Sequence, residues 1–198
     1  MSSADNQPRR LASFLLGVVV TIVVLVLGFF AYIRFGRLPV ATADPSFPME
    51  AQIVHVPLEA RIAREMQSVP FQADAQTYQA GAQIYVQQCA SCHGTPGHDV
   101  AFASGMFPRT PQLWKKHANG VVGVSDDEPG ETFWKVKNGI RLSGMPSYQN
   151  VLSPTQMWQV TLLLKDADKP LPATVQETLT KDQSPAAAPP ATQGLKHD

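Results

Sequence analysis

Cysteine is almost missing from this sequence: two residues among 198, three positions apart. That excludes a disulfide framework and a four-cysteine zinc site. No charge of one sign prevails, since 16 Lys and Arg balance 16 Asp and Glu, so no global attraction draws the chain to nucleic acid or acidic lipid. Strand-like alternation of useful length is absent and no internal repeat is visible, which leaves an all-α reading. The length suits one modest domain with appendages, because a core of ordinary size needs about 100 to 150 residues.

One long apolar run is present. Residues 11–33, LASFLLGVVVTIVVLVLGFFAYI, carry no charged side chain and are flanked by Arg9, Arg10, Arg34 and Arg37. As a helix the run is roughly 34 Å long, against about 30 Å of bilayer hydrocarbon, and it is apolar all round. It reads as an uncleaved single-pass anchor. A signal peptide cut near Ala41–Ala43 is the rival, but apolar cores of about 7 to 15 residues are usual there. The arginine pairs balance across the run and do not set its orientation.

Residues 1–10 precede the anchor, and 34–73 read as a spacer whose segment 49–67 is helix-forming, with Pro57 expected to kink or divide it. Ile53, Val56, Ala60, Ala63 and Arg64 define one weakly apolar face, suited to the following domain or to the membrane surface. His55 reads as a surface histidine. The domain proper is placed at 74–168. Its helices are expected at 74–88, 112–118 (Thr110 as cap), 129–138 (closed by Gly139) and from Ser153–Pro154 onward with Met157, Trp158, Val160, Thr161 and Leu164 inward. Gly81, mid-helix, predicts a close helix contact. Residues 169–198, rich in proline and alanine, read as a disordered tail.

The chemistry is concentrated in CASCHG, residues 89–94. A disulfide between Cys89 and Cys92 would close too short a loop to constrain the chain much. Zinc lacks a second ligand pair, and a Cys-x-x-Cys thiol oxidoreductase normally accompanies a β/α fold. Cys-x-x-Cys-His has a direct stereochemical reading instead: both thiols add to the vinyl groups of one haem and His93 falls beneath the iron. A thioether completes the axial pair where both iron oxidation states must be held at high potential. Met145, between Gly144 and Pro146 and behind a helix, is the candidate; Met106 reads as core, and His117 is a lesser alternative.

The segments GAQIYVQQCASCHG, NGIRLSGMPSY and LSPTQMWQVTLLLK, in this order, resemble class I c-type cytochromes over residues 74–168. The resemblance implies a cytochrome c fold in which the first domain helix crosses the last, setting Gly81 and Tyr85 against Trp158 and Val160. It implies that the carbonyl of Pro108 or Pro111 holds the His93 ring. It further implies that Leu113 packs on the haem and that Trp114 or Arg141 holds a propionate. It places the haem domain in the periplasm, tethered to the bacterial inner membrane.

With both axial positions filled, one-electron transfer rather than catalysis is expected, with one covalent haem c. Partners would be membrane redox complexes: an oxidase, a quinol–cytochrome c reductase or a dehydrogenase. A cytochrome subunit within such a complex is the alternative, ahead of a haem sensor or enzyme and of a haem-free thiol oxidoreductase. Lys135, Lys137 and Arg141 either ring the haem edge for an acidic partner or form an ordinary solvated face.

Overall fold

The structure, a computed structural model, describes residues 7–117 and 120–181. It is helical, with no strand among the described residues beyond an isolated bridge between Thr95 and His98. The chain divides into two compact units, the first ending at Phe47 and the second beginning at Pro48.

The first unit is helix α1, Gln7–Phe35, and the turn that follows it. Its apolar side chains between Leu11 and Phe35 are exposed all round, and the stretch Arg10–Phe35 is long and apolar enough to cross a bilayer.

The second unit opens with α2, Glu50–Glu65. Contrary to expectation, Pro57 does not divide it; the helix runs through the proline without interruption. Of the two surfaces suited to its apolar face, the following domain is not the one that face meets. Ile62 is buried against α5, Pro129–Asn138, while Ile53, Val56, Ala60, Ala63 and Arg64 all remain exposed. Polar contacts fix the choice. Trp134 Nε1 donates to Glu65 Oε2 at 2.8 Å, and the Arg61 guanidinium lies 5.6 Å above the Trp134 ring. The indole donor and then Arg61 hold the Glu65 carboxyl below its ordinary range.

Helix α3, Ala75–Gln88, starts where Asp74 accepts hydrogen bonds from the Thr77 amide and hydroxyl, each at 2.7 Å. Helix α6, Pro154–Lys165, starts at a reciprocal capping box of Ser153 and Gln156, with Pro154 in its first turn. These two helices form the main pairing of the domain. At the crossing Gly81 has no side chain to spare room for: a Cβ there would run into the Gln159 carbonyl oxygen and stand 3.1 Å from Leu163 Cβ. The contact is thus with Gln159, between the Trp158 and Val160 to which the resemblance pointed, and with Leu163 one turn further on. Tyr85, Val160, Thr161 and Leu163 are fully buried around it, and Phe133 of α5 stacks on Trp158 with ring centroids 4.1 Å apart.

Two expectations are corrected here. Residues 112–117 are turn rather than helix, because the backbone of Leu113 is committed elsewhere: its amide donates to the His93 carbonyl and its carbonyl accepts from Gly123. The tail is not structureless throughout either. Helix α7, Ala173–Thr180, lies on α3 with Val175 and Leu179 fully buried, and Gln79 Nε2 donates to Thr178 Oγ1 at 2.7 Å. Residues 182–198 lie outside the described residues.

Candidate functional site

The end of α3 delivers the cysteine motif. Cys89 is the last residue of that helix turn, and a single further turn, α4 (Ala90–His93), carries Cys92 and His93 around. Gly94 closes this turn at φ 72°, and its carbonyl accepts from Tyr85 Oη at 2.7 Å, so α3 grips the far end of the motif it introduces. Both cysteines are free and partly buried. Burial, and then the neighbouring Cys92, pushes the Cys89 thiol up to about 12, which keeps it protonated at neutral pH and ill-suited to attack a disulfide.

His93 is held from the other side. Its Nδ1 lies 2.9 Å from the Pro111 carbonyl oxygen, which fixes Nδ1 as the protonated nitrogen and leaves the Nε2 lone pair free. Burial keeps the ring below its ordinary pKa and hence neutral, the form that ligates a metal. Pro108, the other candidate, is exposed and follows a cis peptide bond. Gln112 ties the loop together, donating through Nε2 to the Cys92 carbonyl at 3.1 Å and accepting from the Val100 amide at 2.6 Å. Its role was hidden in the sequence by the helix expected over the same residues.

Leu113 is buried in the core, and Trp114 stands edge-on to Tyr85 with its Nε1 buried beside the Tyr85 hydroxyl. Arg141 is exposed on the loop after α5.

That loop positions Met145. Helix α5 ends at Gly139 with φ 69°, where any Cβ would stand 2.8 Å from the Met145 carbonyl oxygen and 2.7 Å from the Ser147 amide nitrogen. Only glycine lets the loop fold back this tightly. The turn is pinned by Ile140 N to Met145 O, Met145 N to Ser143 Oγ and Ser147 Oγ to Lys137 O, and Tyr148 Oη reaches the Gln88 carbonyl at 2.7 Å, next to Cys89. Met145 is partly buried against the core.

Met106 has an unexpected neighbour. After a 3-10 turn, Ala101–Gly105, its methyl group rests on Gly144, where a Cβ would collide with it, and its sulfur accepts from Thr110 Oγ1 at 3.0 Å. The sequence pairs these residues by no local pattern. His98 and His117 are exposed. Of the three basic residues near this loop, Lys135 is an ion-pair partner of Glu131 at 2.6 Å and Asp127 at 3.4 Å, which counts against a free basic rim at this position. Its charge is neutralised locally.

Among the described residues no three His, Cys, Asp or Glu side chains converge as ligands of a simple metal ion. The donor set fits a haem instead: two free thiols three residues apart for thioethers, an imidazole oriented through its Nδ1, a thioether on a pinned loop, and a buried indole N–H.

Residues 76–164 match the family model described as cytochrome C oxidase, cbb3-type, subunit III. Among solved structures, a chain of the Kuenenia stuttgartiensis reducing HAO-like protein complex is 23% identical, with TM-score 0.41, over 50% of this chain and 46% of that one. The present chain therefore spans less than half the length of that neighbour. No curated protein matches.

Proposed function

We propose, from the premise that residues 76–164 are a class I c-type cytochrome domain, that this chain is a membrane-tethered one-electron carrier holding a single covalent haem c. The observation that carries the reading is the Cys-x-x-Cys-His turn whose histidine Nδ1 is 2.9 Å from the Pro111 carbonyl. Bound haem supplies an iron that alternates between Fe(II) and Fe(III). Cys89 and Cys92 would hold the macrocycle through thioethers, and His93 Nε2 and the Met145 sulfur would hold its iron. Pro111 keeps the imidazole in one tautomer, with the proton on Nδ1 and Nε2 left as the donor atom. Leu113 would exclude water, and the buried Trp114 Nε1 would be a donor for a propionate. Arg141 and Pro108, both exposed, belong to the rim. A closed axial pair leaves no coordination site for substrate, so the protein transfers electrons and does not catalyse at the iron.

Helix α1 is read as a single-pass anchor in the bacterial inner membrane with the haem domain in the periplasm. Tethering concentrates the domain near integral redox complexes, whether oxidase, quinol–cytochrome c reductase or dehydrogenase. The description of the matching family favours a second reading, in which the chain is a resident cytochrome subunit of such a complex.

Denaturing extraction followed by haem staining tests attachment: colour stays with the polypeptide, and is lost when both cysteines are replaced by alanine. The reduced protein is expected to be low-spin and indifferent to carbon monoxide, and Met145→Ala to bind it. If Met106→Ala opens the iron and Met145→Ala does not, the axial assignment falls; if the functional protein is colourless, so does the whole reading.

A further inference from the structure

Helix α2 carries two apolar stripes and the domain uses only one. Side chains one turn apart share a face, so Leu58, Ile62 and Glu65 look toward α5, where Ile62 is 4% exposed. The same periodicity puts Met49, Ile53, Val56, Ala60 and Ala63 on the opposite side. Met49, Ile53 and Val56 are 67%, 58% and 64% exposed. Three large apolar side chains on one face within eight residues stand in solvent, an arrangement that marks an interaction surface.

The tether names the occupant. Fourteen residues, 36–49, separate the end of α1 from the start of α2, a reach of at most about 50 Å, shortened by Pro39, Pro45 and Pro48. In a chain anchored through α1 this tether would hold the start of α2 within about 50 Å of the bilayer at high effective concentration, where weak apolar partitioning suffices. Between residues 38 and 60 there is no Lys or Arg and three acids, Asp44, Glu50 and Glu59, so the surface is built for apolar contact and not for attraction to anionic headgroups.

We propose that the Met49–Ile53–Val56 face of α2 lies in the interfacial layer of the bilayer, making α2 a second, in-plane membrane contact for the haem domain. This rests on the reading of α1 as an anchor, and the test separates the two.

Single nitroxide labels are attached at I53C, at H55C on the exposed flank of α2, and at V24C in the middle of α1, in the haem-loaded full chain, where Cys89 and Cys92 are taken up by haem. The protein is reconstituted into pure phosphatidylcholine vesicles, and collisions with oxygen, which concentrates in lipid, are compared with those of a water-soluble nickel chelate. Positions 24 and 53 are expected to favour oxygen and to lose nickel collisions, and position 55 to favour nickel. Adding V56D to the label at 53 is expected to restore nickel collisions there and leave position 24 unchanged. Nickel-dominated collisions at 53 with oxygen-dominated collisions at 24 overturn the inference and keep the anchor; nickel dominance at both overturns the anchor and the inference with it. Shielding of position 53 only in membranes containing other proteins would also overturn it, in favour of a protein partner.

Discussion

Replacing Gly81 by alanine sets two known effects against each other, and the structure decides the sign. In an isolated helix the change gains about 1 kcal/mol of helix propensity. Here the new methyl would run into the Gln159 carbonyl oxygen, with Gln159 C at 2.9 Å and Leu163 Cβ at 3.1 Å. Backbone cannot swing aside as a flexible side chain does, so α3 and α6 must part by roughly 0.5–1 Å, a gap that forfeits a quarter to a half of each dispersion contact across it. Those contacts belong to Ala82, Tyr85, Val160 and Leu163, all with 0% exposure. Overpacking of this kind costs about 1–3 kcal/mol, and a backbone collision belongs at the upper end, so the net loss is about 1–2 kcal/mol. For a domain of this size that lowers Tm by about 4–8 °C per kcal/mol. The assay is thermal and guanidinium unfolding followed by far-ultraviolet circular dichroism, with Gly105→Ala, where a Cβ meets nothing within 4 Å, as the control. Adding Leu163→Ala is expected not to rescue, because the tightest obstacle is the Gln159 carbonyl. A Gly81→Ala protein as stable as its parent, or more so, would refute the close crossing of α3 and α6.

Leu179→Ala is expected to destabilise the domain by about 2–5 kcal/mol, since this side chain is 1% exposed beneath α7, whereas Thr174→Ala at an exposed position should stay within about 0.5 kcal/mol. Equal effects in denaturant unfolding would mean that α7 does not belong to the core. Tyr78 donates to Asp166 Oδ2 at 2.5 Å, and burial, then that carboxylate, pushes its phenol up to about 12. A folded pKa above the unfolded value of about 10 gives stability that is complete below pH 10 and lost as pH rises through 12. Tyr78→Phe is therefore expected to flatten stability against pH across that window; an unchanged alkaline slope would contradict the assignment.

How legible the molecule was depends on where each element gets its stability. Helices α3, α5 and α6 could be placed to within a residue or so because their ends are written locally: Asp74 with Thr77, Pro129 with Gly139, Ser153 with Gln156. Helix α7 could not. Eight residues are too few for a helix to hold on its own, and what holds it is the burial of Val175 and Leu179 on a helix ninety positions earlier. The stretch after Pro111 failed for the converse reason, since strong local helix signals lost to the tertiary hydrogen bonds of Gln112 and Leu113. Within the site, Cys89, Cys92 and His93 are contiguous and carry their own pattern, while the choice between Pro108 and Pro111 needed the fold of the loop. The pairing of Lys135 with Glu131, four residues apart on one helix, is legible in the sequence spacing itself.

The stretch 106–111 touches the site at both ends. Pro111 bears on the His93 ring, Thr110 on the Met106 sulfur, and the Met106 methyl on the glycine beside Met145. Six consecutive residues thus act as a single strut between the His93 ring and the Met145 loop. A tilt of the strut would turn the imidazole and shift that loop together, so neither can be repositioned alone from this side of the domain.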